Sequence, residues 1–295
     1  MSNALPDGLS AFPITPADAG GRVDTAALAR LVARLRDASV DSIGVLGSTG
    51  GYAYLDREER RRALDAAMAE AGDVPVLAGV GALRTDAAVA LAGDARDAGA
   101  AAGLLAPMSY TPLTHDEVLE HYRAVAAVGL PIVVYDNPGT THFNFTPALV
   151  ARLAAVDGII AVKSPVGEPD ATAAHLTDLR GRTQGFSLGY SGDWNCAEAM
   201  IAGADSWYSV FGGLFPHEAL AITRAAKADP AEARRLNARL EPLWSLFREL
   251  SSLRIMYAAA NALGLTDAQP PRPALPLSSD DRARVEAVMA ELELG

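Results

Sequence analysis

The sequence predicts a (β/α)8 barrel that carries a C-terminal helical appendage. Three observations lead there. Short apolar runs alternate with amphipathic helical patterns, eight times over. Each run ends at proline, glycine or a Gly/Ser/Thr cluster, the punctuation of a strand leaving a sheet for a loop. The eight units repeat about every 22–34 residues and fill about 215 in all, which suits a closed barrel better than an open doubly wound sheet. Such alternation implies parallel strands joined by right-handed crossovers. The barrel is expected over 8–222 and the appendage over 223–295.

The first run, Leu9-Ser10-Ala11-Phe12, is stopped by Pro13. A helix follows over Asp24–Ala38, with Leu28, Leu31, Val32 and Leu35 on one face. The second strand, Ser42–Leu46, ends in Gly47-Ser48-Thr49-Gly50-Gly51, and Asp56 caps the next helix with Glu59 three residues on. Val74–Ala78, Ala101–Ala106 and Leu130–Tyr135 read as strands three to five. Helices start near Thr85, at Thr114 with a capping-box Glu117, and at Thr146 with Pro147 in its first position. The sixth strand runs from Gly158 to Lys163 and is stopped by Ser164-Pro165. Thr183–Leu188 is a weaker seventh, Asp193–Ala202 a helix, and Ser206–Phe211 the eighth strand. Beyond it, Leu236, Leu240, Leu243 and Phe247 form an apolar stripe, Gln269–Pro276 is a proline-rich connection, and a last helix starts near Ser279. Residues 1–4 could in part be an expression remnant and are expected to take no part in the fold.

Composition narrows the functions. A net charge of -11 argues against a nucleic-acid partner, though a locally positive site could still take a small anion. No run of about 18 apolar residues is present to suggest a membrane span, and no signal-peptide pattern opens the chain. Cys196 is the one cysteine, so no intramolecular disulfide can form, which fits a reducing cytoplasm. The five histidines lack zincin spacing and Cys196 has no partner cysteine, which argues against a metal site.

In such a barrel the site is built at the C-terminal ends of the strands. Ser48 and Thr49 follow strand two, Tyr110 follows strand four, Tyr135 ends strand five and Lys163 ends strand six. An ammonium is costly to bury at a strand end unless it is paired, and a neutral lysine amine is the nucleophile that makes Schiff bases with carbonyl compounds. Lys163 therefore has two readings: an amine nucleophile, or a side chain that snorkels into water. Gly47–Gly51 offers two hydroxyls and free backbone N–H groups, a small anion cradle or an ordinary glycine-rich turn. Tyr135 can donate or accept a proton, or simply pack its ring. Gly79-Val80-Gly81 lacks the third glycine of a dinucleotide fingerprint.

Taken together, these motifs resemble those of the dihydrodipicolinate synthase / N-acetylneuraminate lyase family of class I, Schiff-base aldolases, along nearly the whole chain. Gly47-Ser48-Thr49-Gly50 is similar to its pyruvate-carboxylate motif, Tyr135-Asp136-Asn137-Pro138 to its Tyr-Asn-x-Pro motif, and Val162-Lys163 to its Schiff-base strand. The resemblance implies that Lys163 attacks the ketone of pyruvate or another 2-keto acid. It implies that Thr49 and Gly50 hold the carboxylate with Tyr208 nearby, and that Tyr135 shuttles protons. It further implies a proton relay from Ser48 to a tyrosine of a neighbouring subunit, here Tyr110, and hence a homo-oligomer, a dimer of dimers. No metal or organic cofactor is implied.

Three departures bear on the relay and the substrate. Pro107-Met108-Ser109-Tyr110 stands where Pro-Tyr-Tyr is usual, which puts Ser109 in the strict relay position. Gly51 replaces a usual Glu. Thr140 occupies the place of the arginine that holds the second substrate's carboxylate in true synthases, unless Arg84 or Arg182 reaches in. Thr140, Thr141, His142, Tyr190 and Ser191 are expected to form a neutral, hydroxyl-rich rim. The expected activity is a lyase or aldolase that makes or breaks a C–C bond beside pyruvate. Its rivals are a 2-keto-3-deoxy sugar acid dehydratase, a true 4-hydroxy-tetrahydrodipicolinate synthase, and a catalytically silent barrel that binds 2-keto acids.

Overall fold

All eight apolar runs become strands in the computed structural model, which describes Leu5 and residues 7–295. Residues 1–4 lie outside the described residues. The strands are β1 (Gly8–Ala11), β2 (Ser42–Val45), β3 (Val76–Gly79), β4 (Ala102–Leu105), β5 (Ile132–Tyr135), β6 (Ile159–Pro165), β7 (Ser187–Ser191) and β8 (Ser206–Ser209). They pair in parallel in chain order, and β8 closes on β1. This is the expected (β/α)8 barrel, followed by a helical C-terminal region. Side chains alternate across each strand. Leu77, Leu104, Val133, Ala161 and Tyr208 cluster inside the barrel, while a larger core lies between the strands and the helices.

The helices start where their caps dictate. In α1 (Thr25–Asp37) the Asp24 carboxylate accepts from Ala27 N–H, and Leu28, Leu31, Val32 and Leu35 are all buried. In α2 (Arg57–Glu70) Asp56 accepts from Glu59 N–H at 2.9 Å, but the Glu59 carboxylate reaches across to Val23 N–H instead of closing a capping box. Arg84 precedes α3 (Thr85–Asp97), and the Thr114–Glu117 capping box opens α4 (His115–Ala126). A helical turn, α5 (Pro138–Thr141), follows β5 directly and leads to α6 (Pro147–Ala154). The later barrel helices are α7 (Pro169–Arg182), α8 (Asp193–Ile201) and α9 (Pro216–Ala228).

The structure departs from the sequence reading at three places. The seventh strand starts at Ser187 rather than Thr183, because α7 runs to Arg182 and the Thr183 hydroxyl bonds back to Leu179 O. Gly185 (φ +64°) then turns the chain into the sheet. β6 continues past Lys163 to Pro165, whose missing N–H costs little in the strand's last position. The stripe from Leu236 to Phe247 spans two helices, α10 (Pro230–Arg239) and α11 (Glu241–Leu250), which break at Leu240, just before Pro242. α12 (Ser252–Ala262) and α13 (Ser279–Glu291) complete the chain. The expected division at 222/223 lies inside α9, the helix that covers β1 and completes the barrel wall.

Candidate active site

The register of three adjacent strands builds the centre. Tyr135 on β5 pairs with Lys163 on β6, which pairs with Gly189 on β7. Lys163 is 3% exposed, so it does not snorkel into water. Its Nζ lies 4.1 Å from the centroid of the Tyr135 ring, 4.5 Å from that of Phe12 and 5.9 Å from that of Tyr208. Among the described residues it forms no ion pair. Three aromatic rings thus form a box around one buried amine.

Glycines leave the space for that box. A Cβ at Gly44 would lie 2.2 Å from Phe12 Cζ, and one at Gly189 only 2.4 Å from Tyr208 Cε2. Phe12 and Tyr208 then meet edge to face, with centroids 6.1 Å apart. Burial also pushes the Tyr208 phenol well up.

Tyr135 reaches the cradle through its hydroxyl, which lies 3.2 Å from Ser48 Oγ. Asn137 Nδ2 donates to Tyr135 Oη at 2.9 Å and to Ser48 Oγ at 3.4 Å. With Asn137 donating to both oxygens, the two hydroxyls can share a proton between them. Thr49 is buried beside them. A Cβ at Gly50 would stand 3.0 Å from the amide nitrogens of Leu46 and Gly47, so the turn closes tightly there.

The remaining expected residues sit elsewhere. Tyr110 is 98% exposed, and Ser109 Oγ is tied back to the backbone of Thr111, so neither reaches Ser48 within one chain. Thr140 is exposed on α5, with its hydroxyl donating to Asn137 O at 3.3 Å. Tyr190 does not join the rim. It is 1% exposed, points out of the barrel toward α7, and bonds His175 Nδ1 at 2.9 Å. The cause is parity: Gly189 faces inward, so its neighbour must face outward.

Phe12 and Asn137 join the site with no role assigned to them from the sequence. Two buried carboxyls likewise have no role assigned from the sequence. Asp193 opens α8 and accepts from Trp207 Nε1, Ser209 Oγ and Phe211 N–H, which ties the exit of β8 to α8. Its pKa is raised by burial, partly offset by those donors and by the Lys163 charge. Asp136 follows Tyr135 and points the other way, with a buried Oδ1 that finds no partner among the described residues. Burial pushes its carboxyl up from 3.8 to about 7.

The folded state therefore holds the Asp136 proton over a range where the unfolded chain releases it. Such a group lowers stability as pH rises from about 4 through about 7, and the loss is then complete. Asp136→Asn is expected to gain thermal stability over the parent between pH 5 and pH 8, with little difference at pH 4. Melting curves across that range check it, and a constant difference would assign the carboxyl no such titration.

Comparison with known proteins points one way. Residues 5–292 match the model of the dihydrodipicolinate synthetase family. The 4-hydroxy-tetrahydrodipicolinate synthase of Thiobacillus denitrificans is 36% identical over 288 residues, 95% of each chain. Among solved structures, dihydrodipicolinate synthase from Agrobacterium tumefaciens is 54% identical at a TM-score of 0.95, over 97% of this chain and 98% of that one. The chloride-inhibited dihydrodipicolinate synthase from Acinetobacter baumannii, solved with pyruvate, is 28% identical at a TM-score of 0.89, over 98% of this chain and 99% of that one.

Proposed function

The chain belongs to the dihydrodipicolinate synthetase family, lyases of the class I aldolase type, and from that membership we propose that Lys163 forms a Schiff base with pyruvate or a related 2-keto acid. The amine attacks the ketone carbon to give a carbinolamine. A proton from Tyr135 then lets the hydroxyl leave as water, and the imine remains. Loss of a methyl proton gives the enamine, whose carbon bonds to an aldehyde; the reverse sequence cleaves that bond. Ser48 passes protons to and from Tyr135, while Thr49 and the turn amides around Gly50 hold the carboxylate. One observation carries the reading: Tyr135 places its ring 4.1 Å from the lysine amine and its hydroxyl 3.2 Å from Ser48.

For the aldehyde, the names of the relatives favour aspartate semialdehyde, the partner in a true synthase. Thr140 favours a neutral one. It offers a single uncharged hydrogen bond, worth roughly 1 kcal/mol against about 1.5–3 for a charged one. Arg84 and Arg182 are each held in a surface ion pair, with Asp86 and Asp178, which supports the neutral reading. Dehydration of a 2-keto-3-deoxy sugar acid needs the same imine. Within that family chemistry, Tyr110 serves the site of a neighbouring subunit in a dimer of dimers. Its near-complete exposure supports this, as does the cleft that Leu83, Met108 and Ser109 line near it. Among the described residues no helix is long and apolar enough to cross a membrane; from the lone cysteine, Cys196, we propose the reducing cytoplasm as the working place.

The test is borohydride reduction in the presence of pyruvate, followed by peptide mapping. The chain has only two lysines, Lys163 and Lys227, so the assignment is unambiguous. One adduct on Lys163 is expected; none, or one on Lys227, overturns the mechanism. The same preparation assayed with pyruvate and a panel of aldehydes settles the partner. A kcat/KM above about 10⁴ M⁻¹s⁻¹ for aspartate semialdehyde would return the protein to the true synthases.

A further inference from the structure

The mechanism above leaves one buried charge unused. Arg60 lies in the first turns of α2 and is 7% exposed, yet it forms no ion pair among the described residues. Its Nη2 donates to Gly79 O at 2.8 Å and its Nη1 to Gly81 O at 3.0 Å, the carbonyls at the exit of β3. Its Cζ lies 5.3 Å from the centroid of the Tyr52 ring. Nε is buried without a partner among the described residues. A guanidinium is expensive to bury without a carboxylate, so carbonyl dipoles and a ring face are what hold it. Burial lowers its pKa only to about 10, so it stays a cation through neutral pH.

Both ends of that grip touch the cradle. Tyr52 closes the turn, its N–H donating to Gly47 O. The exit of β3 abuts Leu46, the residue after β2 that opens the turn. A Cβ at Gly79 would lie 1.8 Å from Leu46 O, so the two backbones are in contact. Leu46 itself stands at φ +57°, a region that a leucine adopts only where its surroundings fix it. Arg60 thus fastens both the entry and the close of the segment that carries Ser48 and Thr49.

We propose that Arg60 is a positioning residue for the 2-keto acid carboxylate: it locks the Gly47–Gly51 turn against the exit of β3 and adds a fixed positive charge behind it. The inference rests on the cradle reading above. Thr49 and the turn amides hold the carboxylate; Arg60 acts through them.

Two ketones separate this role from a merely structural one. Pyruvate and hydroxyacetone both form an imine, but only pyruvate has a carboxylate to place. The measurement is the initial rate of borohydride-trapped adduct on Lys163 at sub-saturating ketone. The parent protein alone tests the Schiff-base reading, since no adduct there would end it regardless of Arg60. In Arg60→Gln, pyruvate trapping is expected to fall about tenfold while hydroxyacetone changes less than about twofold, and KM for pyruvate rises with kcat nearly kept. Arg60→Lys keeps the charge but loses the two-pronged fork, so its pyruvate-to-hydroxyacetone ratio should fall only about threefold. If Arg60→Gln does not fold, Arg60→Lys carries the same comparison. Equal losses with both ketones, or an unchanged response to pyruvate, overturn the proposal.

Discussion

Lys163→Ala is expected to lose activity by a factor on the order of 10⁵ or more, because the reaction passes through a covalent bond to that nitrogen. No other lysine side chain is placed to take over. Lys227, the only other lysine, sits exposed near the end of α9, on the outer wall of the barrel. The fold should tolerate the change. Lys163 has no ion-pair partner among the described residues, so its removal strands no buried carboxylate in a salt bridge. The space left among Phe12, Tyr135 and Tyr208 is lined by ring faces, which can relax into it. The checks are steady-state turnover of pyruvate with the best aldehyde and a melting curve. Residual turnover above about 1% of the parent rate, with an intact fold, would mean that the chemistry does not go through this lysine.

How far the sequence reveals this site follows from what each residue's signal depends on. Lys163 and Tyr135 are legible because an apolar run ending in a polar residue marks a strand end, and consecutive parallel strands put those ends side by side. Ser48 and Thr49 are legible for a related reason: two hydroxyls among glycines at a strand exit are unusual in composition. Phe12 is not, since a phenylalanine at the end of an apolar run looks like any core residue. Its place against the amine depends on Gly44 of β2 and on Gly47 in the turn that follows it. Asn137 reads as part of an Asn-Pro-Gly turn; only the fold shows its amide bridging two hydroxyls.

Tyr190 fails for a sharper reason. The seventh run lacks clean alternation, so which of Gly189 and Tyr190 faces inward is not set until the strand's start is fixed at Ser187. Arg60 is a charged residue in a helix rich in arginine, and its sequence neighbours Arg61 and Arg62 form ordinary surface ion pairs. Nothing in the local pattern marks which of the three is buried. Tyr110 depends on a neighbouring subunit in the proposed reading, so no argument confined to one chain can place it.

Tyr135→Phe isolates the proton chemistry from the packing. The ring stays, and with it the 4.1 Å contact with the amine. What goes is the hydroxyl that lies 3.2 Å from Ser48 and accepts from Asn137 at 2.9 Å. Thr49 and the turn amides keep their hold on the carboxylate, so KM for pyruvate should change little. The steps that need a proton delivered or removed should slow, and a positioned acid/base of this kind contributes about 10²–10⁴-fold. The expected result is therefore a fall of about 10³-fold in kcat with KM within about threefold of the parent. Given hours instead of seconds, borohydride should still trap the adduct on Lys163, because the nucleophile is intact and only its partner is missing. Removal of the hydroxyl also leaves Ser48 Oγ with Asn137 as its remaining donor, so Ser48→Ala in the same background should add far less than it costs alone. Full additivity of the two losses would show that Ser48 and Tyr135 act separately, and the shared-proton relay would have to be abandoned.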